Sequence, residues 1–498
     1  MRFTVLTAAA ALMITGTPAV QADPGALRVP AINWQACGPE NPGFDCASVK
    51  VPLDYDNPRG ATTTVALARK PASDQARKIG SLFLNPGGPG GSGVDFAFGW
   101  GDRLNTNLQG RFDIVGFDPR GVGRSDPLHC FASEEDLNKF FEGVPAFPYQ
   151  SAQERPFYDR YRSLGPECRD DQPIARHMST ADVVRDLDLL RRAVGDRKLT
   201  YLGFSYGSYL GATYANMYPN NIRALVIDGV LNPELWSSGR QIESDRIATK
   251  EEFREFLRNC DEAKCVFGPN SEKRWNALLK SVRAKPIQLG EDVYTYDAVI
   301  ATATGAMYNP RSWPGAANLF DQLSDASASV TTASAEPDYD NGFDAYNGNA
   351  CADIEYPGNF NAYRAIGKYA EAGSEFGPYW WWSNAACANW PTNHDRYAGP
   401  WRARTNAPVL VVGNYFDGVT DYRGAQAVNK QLAGSRLLTY AGWGHTAYGL
   451  SKCASDHTDA YLLNGTLPPV GTVCPANPNP FLPTAALSEP MFQPASRR

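Results

Sequence analysis

Leu199-Thr-Tyr-Leu-Gly-Phe-Ser-Tyr-Gly-Ser-Tyr-Leu-Gly-Ala-Thr213 reads as a short apolar strand, a tight turn at Gly203-Phe204-Ser205-Tyr206-Gly207 and a helix rich in small residues. This is a Gly-x-Ser-x-Gly pattern in the setting where a strained strand-to-helix turn projects a serine hydroxyl from the top of a sheet. Side chains at 203 and 207 would collide where strand and helix pass closely, and Gly211 continues that packing one turn later. The five-residue pattern alone recurs by chance. The strand before it and the small-residue helix after it make Ser205 a candidate nucleophile rather than an idle serine in a βα turn.

The flanking sequence alternates in the same way. Ala47–Leu53 and Thr62–Arg69 are rich in valine and threonine, and predict a β-hairpin with its turn at Asp56-Asn-Pro-Arg-Gly60. Ile79-Gly-Ser-Leu-Phe-Leu-Asn85 is a buried strand that runs into Pro86-Gly-Gly-Pro-Gly-Gly-Ser-Gly93. So many glycines after a strand mean that the backbone itself approaches something closely. In a serine hydrolase that object is an oxyanion, for which fixed N–H groups are preorganised donors. Gly88 is the candidate loop donor and Tyr206, the residue after the nucleophile, the second. A phosphate-binding loop is the weaker reading, since no Gly-Lys-Ser/Thr follows.

Arg111–Asp118 is another strand, followed by Pro119-Arg-Gly-Val-Gly-Arg-Ser125, where Arg120 and Arg124 either brace loops or touch substrate. Residues 179–194 carry apolar positions at helical spacing, with Thr180 as N-cap and Gly195 as stop. Arg223–Asp228 is a further buried strand. Strand and helix in alternation imply right-handed crossovers and a mostly parallel sheet. From about 234 to 400 the pattern gives way to helix-like stretches, loops and aromatics, including Pro378-Tyr-Trp-Trp-Trp-Ser383. This is the signature of a large, mainly helical cap inserted over the strand ends. Its aromatics either line a pocket or pack the cap on the core. The sheet resumes at Ala407–Asn414 and ends with Ser435–Tyr440. The expected organisation is a signal peptide at 1–22, core at 23–233, cap at 234–400, core again at 401–474 and a proline-rich tail at 475–498.

A serine hydroxyl needs a base to take its proton, and the base needs an orienting acid. The histidines are His129, His177, His394, His445 and His457. His445 follows the last strand in a glycine-flanked loop and is the candidate base; His457, in a helix-like stretch, is the runner-up. Asp417 ends the preceding strand and is the candidate acid, with Asp228 as competitor. Ser205…Asp417…His445 is the chain order of the α/β-hydrolase fold.

The bulk properties fit a secreted globular protein. The chain has 498 residues, 43% of them hydrophobic and 20% charged, with a net charge of −6 that argues against nucleic acid as a partner. Met1-Arg2, the apolar run Phe3–Ile14 and Val20-Gln-Ala22 predict a signal peptide cleaved near Ala22. No later segment is apolar enough to span a membrane. Ten cysteines, an even number, all lie beyond the signal and predict disulfides. Pairing of neighbours would join Cys37–Cys46, Cys130–Cys168, Cys260–Cys265, Cys351–Cys387 and Cys453–Cys474, although the count permits other connectivities. No Cys/His group has zinc spacing, and neither metal nor organic cofactor is expected. The oligomeric expectation is a monomer by default.

Taken together, Asn85-Pro-Gly-Gly-Pro-Gly90, Gly116–Ser125, the Gly-Phe-Ser-Tyr-Gly turn and the Gly-His-Thr ending resemble the α/β-hydrolase family of prolyl and tripeptidyl aminopeptidases, the secreted actinobacterial tripeptidyl branch above all. Proline iminopeptidases usually open the glycine loop with histidine, where this chain has Asn85-Pro86. The resemblance implies release of short peptides, tripeptides foremost, from free N-termini through an acyl-enzyme. It also implies that the cap holds the substrate's ammonium group. Asp353 and Glu355 in Cys351-Ala-Asp-Ile-Glu355 are the candidates, with a disulfide to fix them. The alternatives are an esterase with the same triad and a binding protein on a hydrolase scaffold. Dehalogenase or epoxide hydrolase chemistry is disfavoured by serine, rather than aspartate, at the turn.

Overall fold

Valine, threonine and alternating polarity at the N-terminal end produce an antiparallel hairpin of β2 (Asp45–Pro52) and β3 (Thr62–Lys70), with the two-residue β1 (Gln35–Ala36) added to its edge. The structure is a computed structural model and describes residues 27–168, 172–325, 341–391 and 395–482. The expected signal peptide, His394 and tail residues 483–498 lie outside the described residues.

β3 pairs antiparallel with β5 (Phe112–Phe117). From there β4 (Gly80–Asn85), β6 (Leu199–Phe204) and β7 (Ile222–Asp228) continue the sheet in parallel. Beyond the cap, which carries the small hairpin of β8 (Ile287–Leu289) and β9 (Asp292–Tyr294), come β10 (Val409–Phe416), β11 (Arg436–Trp443) and β12 (Val473–Cys474). The sheet order is β1-β2-β3-β5-β4-β6-β7-β10-β11-β12, parallel from β5 onward.

Parallel strands are covered on both faces and so read as continuous apolar runs. Their side chains still alternate between layers. Phe83, Leu225 and Val411 meet Leu187, Leu190 and Tyr214 from the helices Thr180–Ala193 and Tyr206–Met217. Leu84, Val226 and Leu410 meet Leu104 and Leu462 from the helices Gly93–Asn107 and Lys452–Asn464. The cap of the helix Thr180–Ala193 lies one residue earlier than expected. Ser179 Oγ accepts the Asp182 N–H at 3.1 Å, which leaves Thr180 in the first turn.

The insertion between β7 and β10 is mainly helical, its longest element being Ile242–Ala263. Its apolar core draws in Leu128, Phe157, Tyr161 and Met178, from a segment that the sequence reading assigned to the first core part. Tyr158 lies 5.2 Å from Tyr363, and Phe157 lies 6.1 Å from Trp382. All five disulfides join neighbours in sequence: Cys37–Cys46, Cys130–Cys168, Cys260–Cys265, Cys351–Cys387 and Cys453–Cys474. Among the described residues, no helix is long and apolar enough to cross a membrane.

Candidate active site

Ser205 sits between the end of β6 and the helix Tyr206–Met217, with φ 55° and ψ −124°. That left-handed backbone costs a non-glycine residue on the order of 1–3 kcal/mol and persists only where its surroundings fix it. Here the Ser205 N–H donates to Asp228 O at 2.9 Å, and Ser208 Oγ–H donates back to Ser205 O. The flanking glycines are sterically required. A Cβ on Gly203 would lie 2.5 Å from Gly207 O, and one on Gly207 would lie 2.8 Å from Asn85 O.

The glycine loop after β4 presses on this turn. Asn85 Oδ1 accepts the Gly87 N–H at 3.0 Å, and Gly91 N–H donates to Gly87 O at 3.0 Å. Gly87 has φ +96°, and a Cβ there would stand 2.5 Å from Phe204 O and 2.8 Å from Ser205 Cβ. The next residue, Gly88, lines the same cleft as Ser205.

Two adjacent strand ends supply the polar pair. Asp417 follows β10 and His445 follows β11. His445 Nδ1 lies 2.9 and 3.0 Å from the two Asp417 carboxylate oxygens, and both residues are buried. Asp417 also accepts the Val419 N–H at 3.0 Å, the Thr420 N–H at 2.8 Å and the Thr420 hydroxyl at 2.8 Å. The His445 N–H donates to Tyr308 O at 3.0 Å, and the Tyr308 ring stands edge-on to the imidazole at 5.5 Å. An imidazole so held is fixed in orientation, with Nδ1–H toward the carboxylate.

Asp228, the competing candidate acid, binds the backbone of the loop that follows His445. Its carboxylate accepts the Ala447 N–H at 2.9 Å and the Tyr448 N–H at 2.7 Å. Burial pushes it up to about 6. His457 lies in the helix Lys452–Asn464 beside the Cys453–Cys474 disulfide, whose sulfurs are bonded to each other and cannot ligate as thiolates. Arg120 is fully buried and braces loops: it holds Asp186 through two 2.7 Å bonds and donates to Pro52 O, Leu53 O and His177 O. Arg124 is exposed and pairs with Asp95 at 2.8 Å.

A cleft opens above Ser205, about 600 Å3 in volume when the open solvent at its mouth is included. Tyr308, Tyr346, Trp380 and Trp381 are among its aromatic walls, with Gln241 and Asp245 from the cap as polar groups. Within the aromatic run, Trp380 and Trp381 thus face the cleft, whereas Trp382 packs inside the apolar core of the cap, on Phe157 at 6.1 Å and Tyr363 at 5.7 Å.

Asp353 and Glu355, the expected ammonium-binding candidates, are not among the residues that line this cleft. Asp353 ends the cap helix Gly342–Asp353 and turns to the N-terminus of Thr180–Ala193. There it accepts the Thr180 N–H at 2.8 Å and the Thr180 hydroxyl at 2.6 Å. Burial pushes it up to about 7. Glu355 is 77% exposed and pairs with Arg396. The carboxylate that does face the cleft is Asp245, which is 8% exposed and accepts the Gln241 side-chain N–H at 2.7 Å.

Residues 80–275 match the family described as alpha/beta hydrolase fold, and residues 372–474 match the family described as TAP-like protein. Tripeptidyl aminopeptidase of Streptomyces lividans is 30% identical, over 90% of this chain and 87% of its own length. The chain belongs to the tripeptidyl aminopeptidase-like α/β-hydrolases. Serine protease Hip1 of Mycobacterium tuberculosis is 30% identical over 89% of this chain and 91% of its own length. Carboxylesterase B of the same species is 31% identical over 92% of this chain and 93% of its own length. The protein is accordingly a serine hydrolase.

Proposed function

We propose that the protein is a secreted serine exopeptidase that releases short peptides, tripeptides foremost, from free N-termini. Ser205 Oγ attacks the scissile carbonyl while His445 Nε2 takes its proton. Asp417 holds the Nδ1–H and stabilises the imidazolium. The Gly88 and Tyr206 N–H groups donate to the oxyanion as it forms. Collapse breaks the C–N bond, His445 protonates the leaving amine, and water then hydrolyses the acyl-enzyme by the reverse proton path.

The observation that carries the exopeptidase reading is Asp245, a carboxylate in the same aromatic-walled cleft as Ser205. A free N-terminus is an ammonium group, and a carboxylate in a low-dielectric cleft recognises it strongly. Asp245 takes the role for which the sequence offered Asp353 and Glu355. The tripeptidyl aminopeptidase relative supports this reading, and the five disulfides support work in an oxidising compartment. Carboxylesterase B among the relatives favours a second reading, an esterase using the same serine.

Hydrolysis of Ala-Ala-Ala-p-nitroanilide beside its N-acetylated form, Pro-p-nitroanilide and p-nitrophenyl acetate separates the two. Rapid release from the free tripeptide alone is expected. Rapid release from the acetate alone makes the protein an esterase. Full turnover by Ser205→Ala refutes the nucleophile in either case.

A further inference from the structure

The cap helix Ile242–Ala263 turns one polar face toward the core. Asp245, Thr249 and Glu252 stand at i, i+4 and i+7, the spacing of a single helix face. Asp245 faces the cleft, whereas the other two reach the strand ends. Thr249 Oγ1–H donates to Gly418 O at 2.6 Å and accepts the Trp380 indole N–H at 2.8 Å. Glu252 is fully buried, and its two oxygens divide between two loops. One accepts the Gly418 N–H at 2.7 Å and the other accepts the Gly444 N–H at 2.8 Å. Gly444 shares that N–H with Phe416 O at 3.0 Å.

Gly418 is the residue after Asp417, and Gly444 is the residue before His445. A single carboxyl group from the cap thus spans the two loops that hold the acid and the base. The site is costly to build. Burial and the nearby Asp417 carboxylate push Glu252 well above the usual carboxylate range. An apolar residue there would strand the Gly418 N–H and leave the Gly444 N–H with Phe416 O alone. Room has been made for the contact, since a Cβ on Gly418 would stand 2.6 Å from Glu252 Oε2.

We propose that Glu252 is a positioning residue: carried by the cap, it sets the spacing of the Asp417 and His445 loops and so ties the acid–base geometry to the seating of the cap. It touches neither substrate nor reacting atoms and acts through the Asp417–His445 hydrogen bond. The proposal rests on the reading of Ser205, His445 and Asp417 as the triad.

The test is Glu252→Gln in the full chain. Glutamine keeps one acceptor and turns an NH2 group against the other backbone N–H. The readouts are kcat and KM on Ala-Ala-Ala-p-nitroanilide, the rate at which a small fluorophosphonate labels Ser205, and the thermal midpoint. A misplacement of catalytic groups by a fraction of an ångström predicts that kcat and the labelling rate fall together, about 10-fold to 100-fold, in a folded protein. KM is expected to stay within about twofold of wild type, because the loss is confined to the chemical step. A folded Glu252→Gln enzyme with wild-type kcat and labelling overturns the proposal, as does a rise in KM alone.

If Glu252→Gln does not fold, Gly418→Ala displaces the same carboxylate from the other side and is expected to give the same paired loss. A folded Gly418→Ala enzyme with wild-type labelling then overturns the proposal. Absence of labelling at Ser205 in the wild-type protein would instead refute the triad reading itself.

Discussion

Gly87→Ala tests the glycine loop as the source of an oxyanion donor. The alanine Cβ would lie 2.5 Å from Phe204 O, 2.8 Å from Ser205 Cβ and 3.1 Å from Tyr206 N. The first of these contacts involves backbone at the Ser205 turn, which cannot swing aside as a flexible side chain would. Restoring an ordinary carbon–oxygen contact of about 3.3 Å requires the loop to retreat by about 0.8 Å. A Gly88 N–H poised about 2.9 Å from the oxyanion would then stand near 3.7 Å, beyond hydrogen-bond range. Loss of one such donor costs about 3 kcal/mol of transition-state stabilisation. At 1.36 kcal/mol per decade this predicts a fall in kcat of about 150-fold, with little change in KM.

The substitution also forces alanine to φ +96°, which lowers stability by about 1–2 kcal/mol whatever its neighbours. Gly143→Ala supplies the control, since Gly143 has φ +73° and nothing within 4 Å of its added Cβ. It is expected to lower the thermal midpoint while leaving kcat unchanged. Steady-state kinetics and thermal melts on the two variants separate crowding from backbone strain. A folded Gly87→Ala enzyme with kcat within about threefold of wild type would refute the loop as donor, because a lost donor costs far more.

Asp245→Asn is expected to lower kcat/KM for the free tripeptide anilide about 10-fold to 100-fold, the worth of a charge-assisted hydrogen bond, and to leave the N-acetylated peptide unaffected. Equal losses on both peptides would remove Asp245 from ammonium recognition. Arg120→Met strands the buried Asp186 carboxylate and is expected to destabilise the fold by about 3–5 kcal/mol in denaturant titrations, with KM unchanged in what remains folded. Asp353, raised by burial from an ordinary value of 3.8 to about 7, contributes stability that is fully present below about pH 4 and is lost as pH rises to about 7. Denaturant midpoints between pH 4 and 8 are expected to fall less steeply in Asp353→Asn than in wild type, and equal slopes would refute the assignment.

What was legible in the sequence was local. Ser205 is marked by residues within a few positions of it, and Asp417 and His445 each follow at once on an apolar strand, so a correct strand reading delivers them to the same edge of the sheet. The Cys351–Cys387 disulfide that was expected to fix the cap carboxylates is present, yet Asp353 bonds to Thr180, 173 residues away in sequence, and no local pattern announces that partner.

The cap helix was harder to read for a physical reason. Glu243, Asp245, Glu251, Glu252 and Glu255 all lie on Ile242–Ala263, and a periodicity argument assigns polar positions to solvent. That assignment fails at a seam between a cap and the ends of parallel strands. The loops there present N–H and C=O groups that the sheet does not use, and something must pair with them. The helix therefore buries two faces. Phe253, Phe256 and Leu257 enter the apolar core of the cap, while Thr249 and Glu252 satisfy the backbone of Gly418 and Gly444. Polarity at i, i+4 and i+7 on such a helix marks contact with the site as readily as exposure. The cleft-facing and loop-spanning carboxylates, Asp245 and Glu252, are seven residues apart because one helix face serves both the cleft and the two loops beneath it.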